Sequence, residues 1–149
     1  MPVKASFGFA IAALVVGASC PAASHAEAEW MSESALRATF AGVVIDGHYA
    51  SGKSFVESYG TDGRVEYNER GVPVPGRWSV TAGSFCTIYD RDPTGGCYRV
   101  RQVGVNCYEF YFIARTESEA RKPDAGKPSW TARGWIKGKP ATCADGANA

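Results

Sequence analysis

Histidine is nearly missing from this 149-residue sequence: His25 and His48 are the only two. That removes any metal site built on several imidazoles, and a Ser-His-Asp triad would have to be assembled on His48 alone. No G-x-S-x-G nucleophile elbow occurs, and no C-x-x-C pair points to thiol redox chemistry. Charge of either sign is not in surplus. Sixteen Lys+Arg stand against 15 Asp+Glu, a formal +1, which lacks the basic footprint of a nucleic-acid binder. Beyond Ala18 there is no apolar stretch long enough for a membrane span, and no internal repeat of fixed period. The expectation is a protein with no metal, no cofactor, no nucleic-acid partner and no membrane span, in which catalysis is disfavoured.

What is present begins with a leader. Lys4 supplies a positive start, Phe7–Ala18 is uninterruptedly apolar, and Ser24-His25-Ala26 has the small-x-small pattern of a signal-peptidase site. This predicts a secretory signal over residues 1–26, cleaved after Ala26, and one domain over 27–149. Lipoprotein processing at Cys20 is the competing reading, but Gly17-Ala18-Ser19 lacks the large aliphatic residue expected three positions before the cysteine. Removing Cys20 leaves Cys86, Cys97, Cys107 and Cys143, an even number that suits two disulfides in a periplasmic or secreted chain and allows three connectivities.

The remainder reads as strands and turns. Ser32 caps a short helix in SESALRATF, where Leu36 and Phe40 share a face, and Gly42 ends it. Gly42–Ile45 reads as a strand stopped by a turn at Asp46-Gly47. Phe55–Tyr59 and Arg64–Asn68 flank Gly60-Thr61-Asp62-Gly63 as a hairpin, with Phe55, Glu57 and Tyr59 on one face. Residues 71–76 read as a rigid proline-rich connection before Trp78 and Val80. Strands follow at Phe85–Asp90, Cys97–Val103, Cys107–Arg115 and Ser129–Ile136, and residues 116–128 read as a mobile surface loop.

Seven to eight short strands in sequential order predict an all-β fold: an antiparallel meander that curls into a small barrel, with a sandwich as the alternative. A turn at Gly104–Asn106 pairs Val103 with Cys107, and hence Arg101 with Glu109, Arg99 with Tyr111 and Cys97 with Ile113. Tyr98, Val100, Tyr108, Phe110 and Phe112 then form the aromatic core face, and Arg101–Glu109 forms a cross-strand ion pair. The alternation that turns Phe85, Tyr89 and Tyr98 inward turns Cys86 and Cys97 outward together, so the predicted disulfides are Cys86–Cys97 and Cys107–Cys143.

Two features imitate chemistry. Residues 47–54, GHYASGKS, match the phosphate-loop pattern G-x-x-x-x-G-K-[ST], but that loop needs a helix directly after it, and FVESYGTDG reads as strand and hairpin. Glu57 shares a face with Phe55 and Tyr59. Burial there would raise its pKa and suit acid–base work, whereas pairing with Arg64 or Arg77 would be structural. Trp30, Trp78, Trp130 and Trp135 read as core or rim residues, with Trp130 and Trp135 on opposite faces of one strand.

Leu36, Phe40 and Gly42, then Gly47, Gly52 and Phe55, then Tyr59, Asp62, Gly63 and Arg64, then Gly76-Arg77-Trp78-Ser79-Val80, Gly83 and Cys86 form a spaced pattern. In that layout the sequence resembles small exported proteobacterial proteins grouped as domains of unknown function. The resemblance implies an envelope location and a lipocalin-like or related barrel, and it carries over no catalytic residue. Three functions remain open. One is binding of a small or amphipathic ligand, using Tyr98, Tyr108, Phe110, Phe112 and Glu57. Another is interaction of a monomer with an envelope protein or foreign hydrolase through Arg91–Gly96 or Thr116–Pro128. The third is an enzyme built on a buried carboxylate.

Overall fold

The computed structural model describes residues 1–2, 29–68, 70–91 and 95–143. The predicted leader, its cleavage point after Ala26 and Cys20 lie outside the described residues, as do residues 92–94 of the Arg91–Gly96 loop. One helix precedes the sheet, α1 (Glu33–Phe40), capped by Ser32, whose hydroxyl accepts from the Ala35 amide at 3.2 Å. Eight strands follow: β1 (Val43–Tyr49), β2 (Ser54–Tyr59), β3 (Arg64–Asn68), β4 (Pro73–Thr81), β5 (Ser84–Tyr89), β6 (Gly96–Gly104), β7 (Cys107–Ala114) and β8 (Ser129–Ile136). Each pairs antiparallel with its sequence neighbour, and β8 returns to β1, so the meander closes into a barrel without edges.

Closure requires inward positions to alternate with outward ones, and the strands obey. Phe55, Glu57 and Tyr59 point in from β2, Val65 and Tyr67 from β3, and Trp78 and Val80 from β4. Alternate turns lie at opposite ends of the barrel. Helix α1 blocks the end that holds the β4–β5 turn. Its Arg37 donates to the Val80 carbonyl at 2.8 Å and its Glu33 accepts from the Gly83 amide at 2.8 Å. That turn needs positive φ at two successive residues, Ala82 at 49° and Gly83 at 70°, which glycine adopts without strain. Phe40, fully buried, fills this end with its ring 4.7 Å from Phe85 and 5.3 Å from Tyr108.

Both disulfides join the predicted partners. Cys86 and Cys97 face one another in register on β5 and β6, and Cys107 holds Cys143 of the C-terminal tail. Such bonds form and persist in oxidising surroundings. The first lies outside the barrel in a small cluster with Ile113, Ala114 and Ala120. Beside the second, buried Asn106 donates to the carbonyls of Ile136, Lys139 and Pro140 and accepts from the Ile136 amide at 2.8 Å. One side chain thus satisfies four backbone groups where β8 ends.

Several local expectations are corrected. β1 does not stop at Asp46-Gly47. Gly47 sits inside the strand because a Cβ there would collide with the Phe55 ring, and the turn is made at residues 50–53. β4 begins at Pro73 and not beyond Gly76. Its two prolines pair with β3, while the register with β5 starts only at Gly76, so their missing amides interrupt no two-sided ladder. Val103 bulges, leaving Gly104 opposite Cys107, and a shift beside Cys97 sets that residue against Ala114. The Arg101–Glu109 and Arg99–Tyr111 pairs hold.

Residues 116–128 are not all loop. Thr116 and Glu119 form a reciprocal capping box for α2 (Glu117–Ala120), which lays Ala120 on the outer disulfide cluster. An irregularity between Phe110 and Tyr111 skips Thr131 and puts Trp130 opposite Tyr111. Trp130 and Trp135 consequently share the outer face, the first beside Arg133 and the second against His48.

If α1 is a plug, Phe40→Ala should cost about 3–5 kcal/mol in urea denaturation, the usual range for emptying a buried phenylalanine site. A loss below about 1 kcal/mol, typical of a surface change, would show that the helix does not seal the barrel.

Candidate functional site

With Phe40, Phe85 and Tyr108 packed at the helix end, the unfilled space lies towards the other end of the barrel. It is a cavity of about 30 Å³, room for a water or two, partly open to solvent. Tyr49, Glu57, Tyr89, Tyr98, Phe110 and Thr131 are among the residues that line it. Its defining group is the Glu57 carboxylate, 7% exposed. Oε2 accepts the Tyr59 hydroxyl from the same strand, and Oε1 accepts the Tyr89 hydroxyl, which reaches across the lumen from β5. A second phenol pair stands alongside, Tyr49 donating to Tyr67 at 3.0 Å. Tyr67 stacks on Tyr89 with ring centres 5.0 Å apart, and Tyr49 packs on Phe55 at 4.7 Å.

The electrostatics follow from burial. Loss of water raises the Glu57 pKa above its ordinary value, and the Tyr59 and Tyr89 hydrogen bonds oppose that rise without cancelling it. The phenols of Tyr59, Tyr89 and Tyr98 are pushed up by burial first and by the Glu57 charge next. For Tyr49 burial again leads, followed by the hydrogen bond to Tyr67. These tyrosines therefore stay neutral donors, and Glu57 is the group of the cluster that changes charge.

The residues singled out in the sequence separate in space. Glu57, Tyr98 and Phe110 line the cavity. Tyr108 is buried at the helix end against Phe40, and Phe112 is half-buried beside Tyr98 with the Arg115 guanidinium 5.0 Å from its ring centre. Neither arginine proposed for Glu57 meets it. Arg64 and Arg77 oppose each other on outward positions of β3 and β4, and Arg64 pairs with Asp62 at 3.4 Å. On the outer wall Glu109 takes Arg133 as an ion-pair partner, and Arg101 lies over the Trp30 ring at 3.9 Å. The phosphate-loop look-alike is a strand–turn–strand, and no helix follows Ser54. Among the described residues no group of His, Cys, Asp and Glu is placed to hold a metal ion, and no helix is long and apolar enough to cross a membrane.

Tyr49, Tyr67 and Thr131 were not among the residues expected in a site. Tyr67 was detectable, since it shares the inward phase of β3 with Val65. Tyr49 was hidden by reading Gly47 as a turn, and Thr131 by a bulge that alternation does not announce.

The raised Glu57 pKa sets the sign of a pH effect. The folded protein holds this proton more tightly than the unfolded chain does. The resulting stabilisation is complete below the ordinary value of 4.5 and is lost as pH rises through the folded value. Glu57→Gln removes the titration, so its stability relative to the native protein should improve as pH rises from 4.5 through the folded value in urea denaturation. A difference independent of pH would contradict a raised Glu57.

No protein family, curated protein or solved structure matches this chain, so the reading of the cavity rests on its own geometry.

Proposed function

We propose that the chain is an exported, disulfide-stabilised barrel that binds a small amphipathic ligand through the end opposite α1, with the cavity around Glu57 receiving the ligand's polar group. The observation that carries this reading is the buried carboxylate at a partly open, aromatic-lined cavity. A core that only needed filling is served more cheaply by apolar side chains, because a buried acid costs desolvation. The space of about 30 Å³ takes a compact head, and the remainder of the ligand would lie against the rim near Tyr98 and Phe112.

The competing readings find less support. An inhibitor acting through Thr116–Pro128 calls for a projecting segment, whereas α2 lays part of it on the barrel wall through Ala120. Acid–base catalysis by paired carboxylates calls for a second acid beside Glu57, whose hydrogen-bond partners are the phenols of Tyr59 and Tyr89.

Amide chemical-shift mapping of the protein with alcohols, carboxylates and amines of about four to seven heavy atoms tests the proposal. At least one class should shift residues 49, 57, 89, 98 and 131 together. Tyr98→Ala should weaken that binding, and Tyr108→Phe, at the plugged end, should leave it unchanged. Absence of any shift at millimolar fragment, or shifts confined to the outer wall, would overturn the reading.

A further inference from the structure

Resting on that reading, we infer that the ligand's polar group is a cation, specifically an alkylammonium, with Glu57 as its counter-charge and the surrounding rings as its walls. Among the described residues the side chains seen bonded to the Glu57 oxygens are two neutral phenols, Tyr59 and Tyr89, and not a cation. An incoming ammonium supplies a counter-charge in a largely buried site, where such attraction is stronger than at the surface. A carboxylate ligand would instead bring a second negative charge beside the first.

Hydrogen-bond capacity gives the second argument. An ionised carboxylate offers about four lone-pair positions, and the Tyr59 and Tyr89 hydroxyls use two, one on each oxygen. An ammonium brings only donors, which suits the positions left. The third argument is shape and lining. The space of about 30 Å³ is close to the size of a water or a protonated amine head, and Tyr49, Phe55, Tyr89, Tyr98 and Phe110 present the aromatic surface to which cations are attracted.

The charged and titratable groups facing the site are consistent with this assignment. Tyr49, Tyr59, Tyr89 and Tyr98 remain neutral, and Tyr67 is tied to Tyr49. A nearby cation is Arg115, which influences Tyr98, lies over Phe112 and donates to the Gly95 carbonyl at 3.4 Å. It marks the rim as a place for the ligand's uncharged stem.

The test uses n-butylammonium, n-butanol and butyrate as probes, followed by chemical-shift titration of the protein. The ammonium should bind at least about tenfold more tightly than the alcohol, a modest return for a buried counter-charge. Butyrate should bind weakest. Glu57→Gln should abolish the preference for the ammonium over the alcohol.

Should that variant fail to fold, pH on the native protein serves instead. An alkylammonium, like a lysine side chain, stays charged between about pH 5 and about pH 8, so any change reports the protein. The preference should grow as pH rises and Glu57 loses its proton. Butanol matching or exceeding butylammonium, or a preference unchanged in Glu57→Gln or falling with pH, overturns the ammonium assignment and leaves the binding barrel standing. If none of the three reaches the cavity, both readings fail.

Discussion

Glu57 hydrogen-bonds across the lumen, and that contact organises the open half of the barrel. Its two oxygens take hydroxyls from Tyr59 on its own strand and from Tyr89, 32 residues away on β5. β2 and β5 are not neighbours in the sheet, so the contact exists only because the meander curls shut. Once inside, a carboxylate must be satisfied largely by the wall, since burial removes most of its hydration. The phenols meet that demand and are locked in turn. Tyr89 is held by Tyr67, and Tyr67 by Tyr49, so the polar cluster and its aromatic stacking are one unit.

The opposite half is governed by ordinary packing. Phe40 enters from α1 and meets rings from β2, β5 and β7, so this end closes on apolar contact. The two disulfides and Asn106 secure what the interior does not. One bond staples adjacent strands under α2, and the other ties the tail to the β6–β7 turn next to the Asn106 clamp. The result is asymmetric. Inside the barrel the buried carboxylate and its small cavity stand at one end and dense apolar packing at the other.

The architecture was legible because its signals are local. Alternation in residues 55–59 and 64–68, turn chemistry at Gly60–Gly63 and Gly83, and a serine cap before Leu36 and Phe40 each fix one element without knowledge of the rest. The same alternation placed Cys86 and Cys97 on one outward face, and they are bonded there. Local signals failed where tertiary contact reverses them. Gly47 carries a turn residue's identity for the sake of the Phe55 ring, and that misreading cost Tyr49. The bulges at Val103 and Thr131 each insert a residue that alternation cannot foresee, which moved Trp130 to the outer wall. α2 was readable in principle from its capping box, but the absence of apolar periodicity around it concealed the helix. For Glu57 the sequence offered arginines nearby in the chain, while its partners are Tyr59, two residues along its own strand, and Tyr89 from the far side of a closed sheet.

The polar half of the cavity depends on Glu57 being a desolvated carboxyl held by phenols. Carbon-detected NMR of its side-chain carboxyl, followed through a pH titration, reads that state directly. The account predicts a single transition with its midpoint above 4.5, together with Tyr59 and Tyr89 hydroxyl protons slow enough in exchange to be seen. A midpoint at or below 4.5, with no protected hydroxyl at either tyrosine, would mean that water reaches Glu57 and that the site as described does not exist.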